Sequence, residues 1–239
     1  MSTSSTPSFF DQELAARYDT RFAILNPLRD ALHLLTCGVL AGLPADARVL
    51  CVGAGTGAEI LALAGRFPGW RFVAVEPSTP MLALCRGKAA EAGIADRCEF
   101  HEGYLDSLPE TGPFHAATSF LVSHFILDPE QRRDFFKGIA SRLAPAGILV
   151  SADLSSDEIG ERQQRLMEAW RSLFEYTGMG NDDLERLFAS YRSDVALSFP
   201  RQIEEWMVSA GFGTPVEFFQ GFLIRAWFAR RANPSISLP

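Results

Sequence analysis

A run of alternating glycines follows a short apolar segment near residue 50. Residues 49–52 are Val-Leu-Cys-Val and residues 53–57 are Gly-Ala-Gly-Thr-Gly, after which a segment of helical period begins. Because glycine has no Cβ atom, Gly53 and Gly55 allow a sharp turn and the close approach of a ligand, and Gly57 lets the helix start pack on the strand. The first turn of that helix would offer N–H groups to a polar or anionic ligand. The pattern predicts a ligand-binding loop, with a purely structural turn as the alternative.

A carboxylate stands at the end of the next apolar run, about twenty residues after the glycine loop. Residues 71–75 form this run, and Glu76 and Pro77 follow it. At this distance from a glycine loop, a strand-end carboxylate can accept hydrogen bonds from the two hydroxyls of a ribose. The loop and Glu76 together predict a cofactor that contains a nucleoside. A solvated charge at a strand end is the competing interpretation of Glu76 taken alone.

A histidine follows a later apolar run. Residues 116–122 form this run, which includes Ser119, and His124 lies just beyond its end. An imidazole takes up and releases protons near neutral pH, so a histidine at this place is a candidate general base toward an acceptor. A histidine packed at a helix start is an equally good interpretation.

The elements that must position these residues alternate in type from about residue 48 onward. Short apolar runs, predicted as strands, are separated by segments of helical period, which is typical of βαβ units around a parallel sheet. In such sheets ligands bind at the carboxyl ends of the strands, where the glycine loop, Glu76 and His124 would meet. The strands are predicted at residues 48–52, 71–75, 98–102, 116–122 and 148–154.

The pattern changes after the fifth strand. A helix is predicted before that strand at residues 128–143, with Asp128 as the N-cap, and three helices are predicted after it, at residues 157–176, 181–191 and 201–210. Residues 215–230 read as a β-hairpin with Gly221 at a turn or bulge. The inserted helices are rich in aromatic residues such as Trp170 and Phe174, which suit the roof of an acceptor pocket, a small core of their own or the face of a homodimer.

These elements predict one α/β domain with additions. Residues 1–8 are expected to be a disordered tail, and residues 9–44 a helical lid over the carboxyl ends of the strands. Residues 45–239 would form the main domain, with a helical insertion at about 157–191.

Composition excludes several classes of function. The net charge is −7 and the longest basic block is the Arg230-Arg231 pair, so we expect no nucleic-acid partner. No apolar run is long enough to span a membrane, and the polar start lacks the features of a secretory signal. Four scattered cysteines without a C-x-x-C pair predict reduced thiols in the cytoplasm, and we assign no metal ligands.

The loop and the following carboxylate resemble the class I S-adenosylmethionine-dependent methyltransferases, whose first motif reads apolar-apolar-acidic-apolar-G-x-G-x-G. The likeness spans about residues 46–154. It implies a Rossmann-like seven-stranded sheet of order 3-2-1-4-5-7-6, with strand 7 antiparallel, helices on both faces and a small helical cap. It further implies S-adenosylmethionine as cofactor, S-adenosylhomocysteine as product, and methyl transfer to an oxygen, nitrogen or carbon of a small-molecule substrate. A nicotinamide dehydrogenase, whose loop reads G-x-G-x-x-G, is the lesser interpretation.

The resemblance assigns roles residue by residue. The methionine part of the cofactor would lie against Gly53, Ala54 and Gly55, and the ribose would bind Glu76. Residues after the second and third strands would line the adenine pocket, and Ser119 and His124 would lie near the transferred methyl group. The adenine set is Pro77, Met81, Gly103, Tyr104 and Leu105.

The sequence departs from the family pattern at two places. Cys51 stands where the family carries an acidic residue that steadies the loop or the cofactor's amino end, and we expect Tyr18 or Arg21 of the N-terminal segment to compensate by binding the methionine carboxylate. After the third strand, the usual Gly-Asp is replaced by residues 102–106, so that Tyr104 or Asp106 would contact the adenine. The run Asn-Pro-Pro-Tyr of the members that methylate bases or glutamine is missing, which disfavours those acceptors.

Three other functions remain open. The order of elements after the fifth strand is similar to that of the carboxy-S-adenosylmethionine synthases, but Trp206 stands near the place of their carboxylate-binding arginine. A catalytically inactive cofactor-binding module would fit Cys51 and Tyr104. A carrier-borne or macromolecular acceptor would call for a basic docking surface, against which the acidic balance speaks.

Overall fold

The computed structural model describes residues 19–156 and 160–232. The expected tail at residues 1–8, the start of the lid at residue 9 and the candidate Tyr18 lie outside the described residues.

Seven strands form one sheet. Their order is β3-β2-β1-β4-β5-β7-β6, and β7 runs antiparallel to both neighbours while the other pairs are parallel. The predicted fold class and strand order are confirmed. The strands are β1 Arg48–Val52, β2 Arg71–Glu76, β3 Cys98–Glu102, β4 Phe114–Phe120, β5 Leu143–Leu154, β6 Val216–Gly221 and β7 Ile224–Arg230.

Seven α-helices longer than one turn accompany the sheet in the described ranges. The Asp128 side chain caps the fourth helix by accepting from the Gln131 N–H at 2.9 Å, as predicted. The helices are α1 Asn26–Leu40, α2 Ala58–Arg66, α3 Thr79–Glu91, α4 Pro129–Arg142, α5 Glu161–Tyr176, α6 Asn181–Ser193 and α7 Pro200–Ser209.

The strands β4 and β5 depart most from their predicted boundaries. Strand β4 ends at Phe120 instead of residue 122, because Leu121 takes a left-handed backbone conformation with φ +61°. Strand β5 begins at Leu143, before the predicted residue 148, because Phe114 pairs with Leu143 across an irregular stretch. That irregularity accommodates Pro145, which has no N–H for a regular ladder.

The sheet is covered on both faces, as the continuous apolar runs predict. On one face Leu50, Val52 and Val73 pack with residues of α4 and α7 such as Phe136 and Ile203. The opposite face packs against α1, α2 and α3. The central strands are thereby fixed, and their carboxyl ends project into one shared region.

A third apolar cluster forms the cap. Helices α5 and α6 bury Trp170, Phe174 and Leu184 completely, and the cluster extends to Leu25 and to Leu223 of the hairpin turn. Trp170 and Phe174 are therefore core residues of the cap, as their helical spacing indicates.

The N-terminal segment is interrupted within its described part. A 3-10 turn at Ala23–Leu25 precedes α1, where a single helical period was expected. Pro27 explains the break, because it lies in the first turn of α1 and has no N–H to donate to a preceding turn.

Candidate active site

One cavity of about 910 Å³ opens at the carboxyl ends of the strands, near the upper end of the range for small-molecule sites. It is lined by eleven of the residues singled out in the sequence: Arg21, Gly53, Ala54, Gly55, Glu76, Pro77, Met81, Gly103, Tyr104, Leu105 and His124. The cavity therefore joins the predicted cofactor loop to the candidate base.

The glycine loop is shaped for close approach. Gly53, Gly55 and Gly57 all have positive φ, at 71°, 53° and 83°. A Cβ on Gly53 would meet Val122 at 2.3 Å and one on Gly57 would meet the Cys85 sulfur at 2.6 Å, whereas nothing lies within 4 Å of a Cβ on Gly55. Gly55 thus faces open space in the cavity, and the other two glycines are required by packing.

The N–H groups of this loop are used within the protein. Those of Gly53 and Ala54 donate to the Val75 carbonyl, and that of Gly57 donates to the Ala54 carbonyl. The Gly55 N–H donates to Glu76 Oε2 at 2.9 Å. These four N–H groups of the loop are therefore already paired, and the loop offers a ligand a close surface while the first turn of α2 can supply further donors.

Glu76 ends β2 with its side chain fixed and 7% of the residue exposed. Its Oε1 accepts from the Ser78 N–H at 2.9 Å while Oε2 accepts from Gly55. Burial raises the pKa of Glu76, and the two backbone hydrogen bonds lower it in part. A carboxylate has about four acceptor positions, so two remain for the hydroxyls of a ribose.

The loop after β3 forms part of the cavity wall. Gly103, Tyr104, Leu105 and Asp106 all line the cavity, and Tyr104 is 41% exposed. The Arg142 guanidinium of α4 holds this loop by donating to the Leu105 and Leu108 carbonyls at 2.7 and 2.8 Å. Buried Met81 supplies part of the lining from α3.

The N-terminal segment is anchored to the glycine loop. Asp19 accepts a hydrogen bond from the Thr56 hydroxyl at 2.9 Å and forms an ion pair with Lys88 of α3. Two residues on, Arg21 lines the cavity, and its buried Nε has no hydrogen-bond partner among residues 19–156 and 160–232. This anchor places a cation beside the loop, close to where the resemblance puts the methionine carboxylate.

A buried acid that the sequence interpretation missed lies in the first turn of α2. Glu59 lines the cavity with 7% of the residue exposed. Burial raises the pKa of Glu59 to about 8; its own backbone N–H lowers it, and the carboxylate of Glu76 raises it further. Burial also raises the pKa of the Cys51 thiol well above its usual range, and Glu59 adds to that shift. Glu59 therefore lies near the position that Cys51 leaves without an acid.

His124 is held by Asp153 of β5. One oxygen of the Asp153 carboxylate accepts from the His124 backbone N–H at 2.9 Å and lies 3.1 Å from the ring Nδ1. The Leu154 N–H lies 3.4 Å from the same nitrogen. Since a carboxylate is the stronger and closer partner, we assign the proton to Nδ1. Nε2 then carries the lone pair on the ring of a residue that lines the cavity.

A buried arginine clamps the loop that carries His124. Arg132 of α4 is 1% exposed, and its guanidinium donates to the Ser123 carbonyl at 2.6 Å, to the Ala196 carbonyl at 3.2 Å and to the Ser198 hydroxyl. The ring of Trp206 packs against it, with its centroid 5.0 Å from Arg132 Cζ. Arg132 thereby joins the His124 loop to the chain that returns from the cap.

The N-terminal segment, the turn that carries His124 and the cap contribute apolar and aromatic residues to the cavity lining. These residues are Phe22, Leu25, Phe125, Trp170, Leu187 and Tyr191. Trp170 Nε1 donates to the Tyr191 hydroxyl at 3.1 Å, which satisfies both polar groups. A second histidine of the cavity, His33, stacks on Phe120 at 6.0 Å, and burial lowers its pKa to about 4.

Ser119 is the one described candidate that does not line this cavity. It is buried in β4, and its hydroxyl has no hydrogen-bond partner in the described ranges. The next three residues, Phe120, Leu121 and Val122, form the lining instead. Side chains alternate across a strand, so Ser119 and Phe120 face opposite sides of the sheet.

The last helix lies away from the cavity. No residue of α7, which is described in full, is part of the lining, and Trp206 packs on Arg132. The structure therefore offers no carboxylate-binding arginine at the place that a carboxy-S-adenosylmethionine synthase would use.

This strand order, with the cavity at the carboxyl ends of the strands, is the Rossmann-like fold of the S-adenosylmethionine-dependent methyltransferases. Residues 49–147 match a family model described as a methyltransferase domain. Erythromycin 3″-O-methyltransferase of Saccharopolyspora erythraea is 34% identical over 117 residues, which are 48% of this chain and 37% of that protein.

Solved structures share the fold at low identity. Human N-acetylserotonin methyltransferase, solved with S-adenosylmethionine, is 16% identical, with a TM-score of 0.66 over 94% of this chain and 58% of that one. An O-methyltransferase-like protein of Nostoc punctiforme is 15% identical, with a TM-score of 0.67 over 96% and 64%. The chain spans less than two thirds of the length of each of these three relatives.

Proposed function

We propose that this chain transfers the methyl group of S-adenosylmethionine to a hydroxyl of a small, largely apolar molecule. The observation that carries the proposal is that one cavity joins the loop at Gly55 and Glu76 to His124, whose ring is oriented by Asp153. The chain is similar to proteins named as O-methyltransferases, which favours oxygen among the possible acceptor atoms.

The residues present fit the cofactor. Gly55 leaves open space where a side chain would intrude, Glu76 keeps acceptor positions for a ribose, and Arg21 has a buried nitrogen without a partner in the described residues. Gly53 and Ala54 would lie along the methionine part. Pro77, Met81, Gly103, Tyr104 and Leu105 would enclose the adenine. When bound, S-adenosylmethionine supplies a methyl group activated by the positive sulfonium.

His124 would act as the general base. With its Nδ1 proton directed to Asp153, the ring presents Nε2 to the cavity and can accept the proton of an acceptor hydroxyl. Asp153 then stabilises the positive charge that the ring acquires. The apolar walls around Trp170 and Phe125 exclude water and hold the hydroxyl in line with the methyl group.

The acceptor side favours a small molecule over a macromolecule. The cavity is covered by the cap and by the N-terminal segment, through Trp170 and Phe22 among others. None of the helices in the described ranges is long and apolar enough to cross a membrane. The four cysteines are unpaired thiols, in keeping with the reducing cytoplasm that we propose as the location. We propose no nucleic-acid partner, because the net charge is −7.

Calorimetry tests the cofactor first. S-adenosylmethionine and S-adenosylhomocysteine should bind the wild-type protein, and Glu76→Ala should weaken both. A panel of phenols and aliphatic alcohols is then incubated with protein and cofactor, and mass spectrometry detects the addition of one methyl group. Failure of both cofactor forms to bind the wild type would refute the proposal, whereas binding with NADH alone would favour a dehydrogenase.

A further inference from the structure

We propose that Glu59 binds the ammonium group at the methionine end of the cofactor and so replaces the acid that is missing at Cys51. This inference rests on the proposed function, and it assigns a specific contact to a residue outside the first motif.

The first observation is the position of Glu59. It lies in the first turn of α2, directly after the glycine loop, and its side chain lines the same cavity as Gly53 and Gly55. Cys51 lies at the end of β1 beneath that loop and is fully buried. Cys51 lies in the strand that leads into the loop and Glu59 in the helix that leaves it, so the two residues flank the loop on either side. An acid on α2 thus reaches the region that an acid on β1 would serve.

The second observation is that the Glu59 carboxyl forms no ion pair within residues 19–156 and 160–232, although the charge of Arg29 lowers its pKa. Its donor there is its own backbone N–H, and 93% of its surface is buried. A buried carboxyl is costly when it is ionised and unpaired, so a cation bound beside it in the cavity would stabilise its ionised form. The titratable and charged groups that interact electrostatically with the Glu59 carboxyl are Glu76 from β2, Arg29 from α1, and the thiols of Cys51 and Cys85.

The charges around the cavity match an amino acid. Arg21 and Arg29 of the N-terminal segment line it together with the glycine loop, and Glu59 supplies the one buried acid of α2. A zwitterion could therefore place its carboxylate toward the arginines and its ammonium toward Glu59. Glu76, two of whose acceptor positions are taken by backbone N–H groups, remains for the ribose.

Proton release should accompany binding. Because burial raises the pKa of Glu59 to about 8, the free protein carries a proton on this carboxyl near neutral pH. An ammonium beside it stabilises the ionised form, so the carboxyl gives up its proton to the buffer as the ligand binds.

The test compares two ligands by calorimetry. S-adenosylhomocysteine has the amino-acid end, whereas 5′-methylthioadenosine keeps the nucleoside and thioether without it. We expect Glu59→Gln to weaken S-adenosylhomocysteine about tenfold to a hundredfold and to leave 5′-methylthioadenosine unchanged. Glu76→Gln should weaken the binding of both ligands, and Glu91→Gln, at an exposed position, should weaken the binding of neither.

A second measurement detects the proton. Titrations of the wild type near pH 7 in two buffers of different ionisation heat should show proton release, and Glu59→Gln should abolish that release.

The outcomes separate the two proposals. Equal affinity of wild type and Glu59→Gln for S-adenosylhomocysteine, or an equal loss for both ligands, would overturn the role of Glu59 alone. A wild-type protein that binds neither ligand would overturn the proposed function with it. Thermal unfolding of each variant shows whether a loss of binding reflects a loss of folding.

Discussion

Asp153 holds His124 through a single carboxylate oxygen, which accepts from the backbone N–H and also lies 3.1 Å from the ring Nδ1. The other oxygen accepts from the Ser123 hydroxyl at 2.6 Å. Both oxygens of this buried carboxylate are therefore committed to the loop that carries the proposed base, and the ring has little freedom to turn.

The first prediction concerns this pair. His124→Asn should lower turnover of the identified acceptor by about a hundredfold or more, because general-base catalysis contributes about 10²–10⁴. S-adenosylhomocysteine affinity should change little, and Asp153→Asn should lower turnover through loss of ring orientation. Steady-state kinetics and calorimetry separate the two effects.

His33→Asn is the matched control for that experiment, since His33 is the other histidine found in the lining of the cavity. Its turnover should stay within a few-fold of the wild type. A large loss of turnover in His33→Asn, with little loss in His124→Asn, would show that the base is His33 and that its assignment to His124 is wrong.

The second prediction concerns Gly55. Its Cβ position opens into the cavity and its φ is +53°, so Gly55→Val should fold with a penalty of about 1–2 kcal/mol and lose cofactor binding. The exposed Gly65 of α2 provides the control: Gly65→Ala should bind normally and gain about 0.5–1 kcal/mol. Calorimetry with S-adenosylhomocysteine and denaturant unfolding measure both. Unimpaired binding by Gly55→Val would show that the ligand does not approach this loop.

The third prediction concerns Arg132. Its removal in Arg132→Met leaves the Ser123 and Ala196 carbonyls and the Ser198 hydroxyl without their donor, each at a cost of about 1–3 kcal/mol if it stays dry. We expect a loss of about 2–4 kcal/mol in the free energy of unfolding. Lys137→Met on the exposed side of α4 should change it by less than about 0.5 kcal/mol. Equal urea midpoints of unfolding for Arg132→Met and Lys137→Met would show that Arg132 does not stabilise the loop that carries His124.

The fourth prediction concerns the pH dependence of stability. The pKa of Glu59 is raised from 4.5 to about 8 in the folded protein, so folding favours its protonated form. The contribution of Glu59 to the free energy of unfolding is therefore fully present below about pH 4.5, and it declines as pH rises toward 8, by up to about 1.4 kcal/mol per pH unit. The free energy of unfolding of Glu59→Gln, measured relative to that of the wild type, should therefore increase by on the order of 2–4 kcal/mol between pH 5.5 and pH 8.5. Urea unfolding at the two pH values checks this, and a constant difference would contradict it.

Local patterns were sufficient for most of the fold. The continuous apolar run of β1 and the Asp128 cap of α4 depend on near neighbours in the sequence, and both are found where they were expected. The strand order followed from the resemblance. The start of β5 was missed because its pairing with Phe114 passes through Pro145, which a single-strand pattern excludes.

The site was less accessible to sequence reasoning because its remaining members acquire their roles through distant contacts. Glu59 looks like an ordinary acid of a helix start, and Arg132 like any of the three arginines of α4. Only the packing of the N-terminal segment and of the chain after the cap buries them. Asp153 likewise reads as a strand residue until the His124 loop folds against it. One signal for Glu59 was present in the sequence. Cys51 stands where the motif usually has an acid, and Glu59 is a carboxylate only two residues beyond the glycine loop.

The insertion of α5 and α6 after β5 divides the chain into two parts that can vary separately. Residues 52–106 contribute the glycine loop and its neighbours to the cavity lining, and residues 170–195 contribute lining from the cap. The cap has its own apolar cluster, so its lining can change without disturbing the packing beneath the glycine loop. Substitutions in the cap are therefore expected to reshape the cavity while the glycine loop keeps its conformation.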